Sequence, residues 1–122
     1  MRIRLPVALL IAFAAAGVVA AVAVAHTDVK SRSPSKGGSA STSIGRVSVT
    51  FEQQIRRGGI RVVGPGGRVV SSGSGSRDPR NVARVVVGLR GSLRAGRYRA
   101  TYSIVAADGH RQRGSWRFRL RR

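Results

Sequence analysis

The sequence predicts an all-β fold, a small antiparallel β-sandwich of about seven strands, and three observations predict it. Beyond residue 45, apolar residues recur with a period of two, which sends one set of side chains inward and the other into water. Turn-forming clusters break these runs at short intervals: Gly64-Pro65-Gly66-Gly67, Gly73-Ser74-Gly75, Asp78-Pro79 and Gly96. No window after the N-terminal segment sustains a 3.6-residue period. Several short strands joined by such turns are expected to connect in Greek-key fashion, in an Ig-like layout.

The elements follow in order. Residues 28–32 read as a weak first strand. Ser33-Pro34-Ser35-Lys36-Gly37-Gly38 is turn chemistry, because proline fixes φ and glycine accepts positive φ. Residues 39–45 are small and polar and read as loop or edge. Val47, Val49 and Phe51 then alternate with Arg46, Ser48 and Thr50. Ile60 and Val62 alternate with Gly59, Arg61 and Val63, and residues 68–71 form a further short run. Ser72-Gly73-Ser74-Gly75-Ser76 is low in complexity and is expected to be a flexible loop. Residues 84–89 are an apolar run. Tyr98, Ala100, Tyr102, Ile104 and Ala106 alternate with polar neighbours, as do Trp116, Phe118 and Leu120 with Arg117, Arg119 and Arg121.

The N-terminus differs in kind. Arg2 and Arg4 form a short basic region, residues 5–24 are almost wholly Ala, Val, Leu and Ile, and Ala23-Val24-Ala25 matches the small-x-small cleavage pattern. Together these describe a secretory signal peptide over residues 1–25, expected to be helical. About 20 apolar residues also suffice for an uncleaved anchor, and either way the domain at 26–122 is expected to be periplasmic or otherwise extracytoplasmic. Cleavage after Ala25 takes 25 of the 122 residues, leaves 97, and makes His26 the first residue.

The chain has 23 Lys+Arg against 4 Asp+Glu, a formal net charge of +19. That balance favours anionic neighbours. Export argues against nucleic acid as the partner, which leaves an anionic cell-envelope surface. Many of the arginines fall on outward positions, where a merely solvated face is the simpler reading. With no cysteine, disulfides, thiolate metal sites and cysteine nucleophiles are excluded. No nucleophile–base pair or paired carboxylates are visible, so no enzymatic activity is expected.

Two histidines carry the chemistry. His110 follows Asp108 and Gly109, at the turn between the last two long runs. In extended backbone, residues two apart point to one side, so Asp108 and His110 could present a carboxylate and an imidazole to one point; a plain Asp-Gly hairpin turn is the simpler reading of that fragment alone. His26 changes the balance. Signal cleavage frees its α-amine, and a terminal histidine can chelate one metal through both amine and ring Nδ1. With His110 and Asp108 the set becomes three nitrogens and one oxygen, which suits tetragonal Cu(II). Cu(I) prefers sulfur ligands, and the only methionine is Met1. Because the ligand nitrogens must be deprotonated, affinity should fall in acid.

The chain after residue 25 resembles the CopC family of bacterial periplasmic copper-binding proteins. The "AH" start at Ala25-His26, "SRSPSKGG" (31–38), "VSVTFEQQI" (47–55) and above all "LRAGRYRATYSIVAADGHRQRGSWRFRL" (93–120) carry the resemblance. It implies one Cu(II) per chain, held by His26, Asp108 and His110 in a histidine-brace arrangement, with His26 binding through amine and ring. It implies that Glu52 supports the site by accepting a hydrogen bond from the terminal amine; the alternative is a strand-end glutamate paired with one of the arginines. It further implies a partner membrane transporter of the CopD type. The better-known members also have a methionine-rich Cu(I) site, from which this sequence departs. Tyr102 stands where many relatives have Trp, as a core exchange. Of the other acids, Asp28 is expected to point away from the copper, and Asp78, before Pro79, to form a turn.

The function expected is a Cu(II) carrier or buffer in copper homeostasis and resistance. Two alternatives belong to other classes. An N-terminal histidine with a second histidine also builds the sites of copper oxygenases that act on polysaccharides, although those generally leave a coordination position open. A structural envelope protein would use the cationic faces and ignore copper.

Overall fold

The computed structural model describes residues 27–122. The expected signal peptide over 1–25 and His26 lie outside the described residues. Among these, no helix is long and apolar enough to cross a membrane.

Eight strands follow the alternation: β1 (Val29–Ser33), β2 (Ser39–Ser41), β3 (Arg46–Phe51), β4 (Ile55–Val63), β5 (Ser71–Asp78), β6 (Asn81–Leu89), β7 (Gly96–Ala106) and β8 (Arg111–Arg121). They form two four-stranded sheets, ordered β1-β3-β6-β5 and β2-β8-β7-β4. The chain crosses between sheets after β1, β2, β3, β4 and β6, while β5–β6 and β7–β8 are hairpins. All strands and the whole described core therefore lie after residue 28.

The expected sandwich is present, with three local differences. Residues 39–45, read as loop or edge, contribute β2, which runs parallel to β8 at residues 119–121, so the second sheet is mixed and the strands number eight. The 68–71 run is not a strand of its own: Val69 makes a single bridge to Val63 and Ser71 opens β5. The Ser72–Ser76 stretch, expected to be a flexible loop, lies within β5. Its pairing to β6 is broken between Ser72 and Ser76, where Gly73 and Gly75 adopt φ of 74° and 75°. Only glycine takes such angles without strain, and a β-bulge on an edge strand accommodates them. Low complexity concealed an irregular strand because its side chains are too small to show alternation.

The core lies between the sheets, where Val47, Val49, Phe51, Val85 and Val87 of the first face Ile60, Val62, Ile104, Phe118 and Leu120 of the second. Each large apolar side chain so buried contributes roughly 1.5–3 kcal/mol. The aromatics tie the layers together. Phe51 meets Tyr102 edge-on with ring centroids 5.2 Å apart, and Tyr98 stacks on Phe118 at 5.7 Å, both favoured geometries. Trp116 is buried because its indole N–H donates to the Pro34 carbonyl at 2.8 Å.

Opposite Tyr102 on β8 stands Gly114. A Cβ there would lie 2.6 Å from Cε2 of the Tyr102 ring, so the ring occupies the space a side chain would need. Gly114→Ala is expected to destabilise by about 1–3 kcal/mol, the usual cost of overpacking, and a thermal melt should show the lowered midpoint.

Candidate metal centre

Asp108 and His110 stand at the β7–β8 connection, at one end of the sandwich. The turn closes because the Gly109 amide donates to the Ala106 carbonyl at 2.9 Å and the Ala106 amide donates to the His110 carbonyl at 2.8 Å. Gly109 takes φ of 91°, a left-handed angle that explains glycine there. Arg56, on β4, donates from Nε to the Ala107 carbonyl at 2.9 Å and anchors the turn to the neighbouring strand.

The two side chains meet, but through a turn over residues 107–109 and not through the extended backbone expected. Nδ1 of His110 lies 2.7 Å from Oδ2 of Asp108, and the His110 amide donates to Oδ1 at 3.0 Å. These contacts hold the Asp108 carboxyl below its usual 3.8, the His110 backbone amide first and the ring second. Asp108 is therefore ionised throughout the neutral range. A carboxylate whose folded value is lowered adds stability above its ordinary range, and loses it as pH falls through the folded value.

The arrangement offers a metal two routes. Ligands at about 2.0 Å and at right angles stand roughly 2.8 Å apart, close to the Nδ1···Oδ2 separation, so a metal could replace the shared proton. Alternatively Nδ1–H donates to Asp108, and Nε2 is the free nitrogen with a carboxylate behind it. His110 is more than half exposed and Asp108 about a third, so the pair is open to solvent. Among the described residues no group of three or more metal-ligating His, Cys, Asp or Glu side chains assembles; the third expected ligand, His26, lies outside them.

What reaches this end of the sandwich is the start of the described chain. Thr27 is buried. Its amide donates to Oε1 of Gln112 at 3.1 Å, and Nε2 of Gln112 donates back to the Thr27 carbonyl at 3.1 Å. The Thr27 hydroxyl accepts from the Gln53 amide at 3.1 Å, and the Glu52 amide donates to the Asp28 carbonyl at 2.8 Å. The chain start, the β3–β4 turn and the β7–β8 turn are thus tied together at one pole. Glu52 sits in that β3–β4 turn with an exposed side chain. Among the described residues its carboxylate makes no ion pair, to the arginines or otherwise. Asp28 is exposed and, among the described residues, forms no metal-ligating group with Asp108 and His110, and Asp78 turns the β5–β6 hairpin by accepting from the Arg80 amide at 2.9 Å.

Gln112, Thr27 and Arg56 escaped sequence reasoning. Gln112 continues the inward register of Trp116 and Gly114, where a polar residue at a strand's start is a weak signal of a buried partner. Thr27 and Arg56 carry no local signal, the latter being one of 23 basic residues.

The CopC domain family matches residues 29–121. Among curated proteins, Protein YobA of Escherichia coli (strain K12) is 21% identical over 99 residues, 80% of each chain, and Protein YobA of Shigella flexneri matches equally. Among solved structures, CopC from Methylosinus trichosporium OB3b superposes with a TM-score of 0.64 at 19% identity, covering 78% of this chain and 93% of its own. PcoC, a methionine-rich copper resistance protein from Escherichia coli, superposes at 0.62 and 21% identity, covering 80% and 100%. At such identities the superpositions speak for the fold.

Proposed function

The chain belongs to the CopC family, and from that premise we propose that it is an extracytoplasmic Cu(II)-binding protein, a carrier or buffer in copper homeostasis and resistance that takes one ion per chain. The observation that carries this reading is the double hydrogen bond between Thr27 and Gln112. Gln112 stands two residues from His110, and one peptide unit, about 3.8 Å between Cα atoms, separates Thr27 from His26. In this reading, removal of the signal peptide leaves a terminus next to Thr27, and the Gln112 pair that holds Thr27 at the pole of Asp108 and His110 supports it. The amine and ring nitrogen of that terminus, with His110 and Asp108, then make the three-nitrogen, one-oxygen set that suits Cu(II). Glu52, on the turn tied to the same segment by its own amide, is the proposed acceptor for the terminal amine. One structural neighbour is a methionine-rich copper resistance protein, whereas this chain has only Met1; a thioether Cu(I) site has no donors here, and the Cu(II) site stands alone. A CopD-type membrane transporter is the partner this reading calls for.

The test is a Cu(II) titration of the processed chain against a form with one extra residue before His26. The extra residue turns the amine into an amide and destroys the chelate ring. The expected loss is at least about 100-fold in affinity, because the remaining nitrogen then binds without an intramolecular partner. Equal affinities would remove the amine from the ligand set. Oxygen consumption by copper-loaded protein with ascorbate, above free-copper controls, would favour the oxygenase alternative.

Gln112→Leu offers a subtler check. It keeps the size of the side chain and removes both contacts to Thr27. The expected result is a 10- to 100-fold loss of Cu(II) affinity, typical of an orienting partner, while the ligands themselves are untouched.

A further inference from the structure

The outer face of β7 and β8 carries a charge arrangement that the copper site does not use. In register across the hairpin, Arg97 faces Arg119 and Arg99 faces Arg117. All four are exposed, and the alternate positions Tyr98, Ala100, Trp116 and Phe118 are buried. Strands lie about 4.8 Å apart and successive outward residues about 6.8 Å, so four guanidiniums rise from one small rectangle. Like charges directly opposite one another on a sheet are destabilising. Among the described residues no carboxylate pairs with them. Asp28, Glu52 and Asp108 belong to the copper pole, and Asp78 pairs with Arg84 at 3.8 Å. The only side-chain hydrogen bond to the four among the described residues is from Arg99 Nη2 to the Ser115 hydroxyl, at 3.1 Å. Lys36, with Arg99 and Arg117, borders a shallow depression on this face, and Arg97, Arg117 and Arg119 border another.

We propose that this face docks the protein on an anionic phospholipid bilayer. A solvated surface needs charge but does not need like charges stacked rung upon rung. The array is two-dimensional and lies on a sheet face, which matches a plane of phosphate headgroups better than the single line of charges a polyanionic strand presents. Basic residues near an anionic leaflet each add to the attraction. The apolar segment at residues 5–24, read as a secretory signal, would also release the domain at a membrane. From the Arg99 rung to Ala106 the hairpin runs seven residues, roughly 24 Å, so the two rungs lie well away from the turn that holds Asp108 and His110.

The test is co-sedimentation of the processed chain with vesicles of phosphatidylcholine alone and with phosphatidylglycerol added, at low and high salt. Binding is expected only to the anionic vesicles, weakening as salt rises. The variant Arg97→Gln/Arg99→Gln/Arg117→Gln/Arg119→Gln should lose at least about tenfold in that binding and melt no lower than the parent. A charge-matched control, Arg46→Gln/Arg68→Gln/Arg80→Gln/Arg90→Gln, should keep most of it. Equal loss in the control would reduce the effect to net charge and overturn the proposal. So would unchanged binding by the first variant, or tighter binding of soluble polyphosphate than of vesicles. If four changes impair folding, Arg97→Gln/Arg119→Gln alone should give a smaller loss in the same direction, and no loss overturns the proposal. Cu(II) affinity is measured alongside and should be the same in every variant, so docking and copper binding succeed or fail separately.

Discussion

Replacing His110 with alanine should lower Cu(II) affinity by more than the 10- to 100-fold that accompanies loss of an orienting partner, with little change in melting temperature. His110 is exposed and its side chain's recorded contact is with Asp108, so little packing is lost with it. Asp108→Asn is the informative companion. If the carboxylate binds copper itself, the loss should approach that of His110→Ala. If Asp108 instead accepts Nδ1–H while copper takes Nε2, the loss should stay within the 10- to 100-fold range, and the nitrogen hyperfine pattern of the copper spectrum should keep its number of nitrogens. In the parent, acidification should release copper through protonation of the nitrogen ligands. The Asp108 carboxyl, held below its usual range by the His110 amide and ring, stays ionised while that happens. Titrations with a competing chelator over a pH series would read both effects.

The second large effect is on stability. Phe51→Ala should cost about 3–5 kcal/mol, the range for emptying a buried aromatic site. Phe51 is 1% exposed and packs edge-on against Tyr102, so its removal opens a cavity between the sheets and strips one face of the tyrosine. For a domain of this size each kcal/mol moves the midpoint by roughly 4–8 °C, which calorimetry would register as a fall of at least about 12 °C. Phe51 also precedes Glu52 and Gln53, whose amides hold Asp28 and Thr27. The same substitution should therefore loosen the copper pole, and bound Cu(II) should recover part of the lost midpoint.

The strands that line the core were legible because their alternation is carried by Val, Ile, Phe, Tyr and Trp, residues large enough to separate inside from outside. Trp116, Phe118 and Leu120 are buried and Arg117, Arg119 and Arg121 exposed, as the pattern requires. Where side chains are small, the pattern carries no information. Ser39–Ser41 and Ser71–Asp78 are strands set by their neighbours' backbones, and their own residues have no preference to declare. The Asp108–His110 contact was legible because it is local, two residues apart in sequence, although a turn and not extended chain makes it. The Thr27–Gln112 pair spans 85 positions, and only the folded sandwich brings its ends together. The like-charge rungs Arg97–Arg119 and Arg99–Arg117 needed the hairpin register, which alternation alone does not give.

The broken edge of β5 has a consequence for how the protein behaves in a crowd. A strand at a sheet's border offers unpaired amides and carbonyls to any passing chain, and regular borders are where fibrils and runaway oligomers begin. Here the border bends away from regular pairing between Ser72 and Ser76, with Gly73 and Gly75 at angles that an incoming β-strand cannot follow. What composition presents as an idle serine-glycine stretch acts as a guard on a sheet border, where an incoming strand should find no regular ladder to extend.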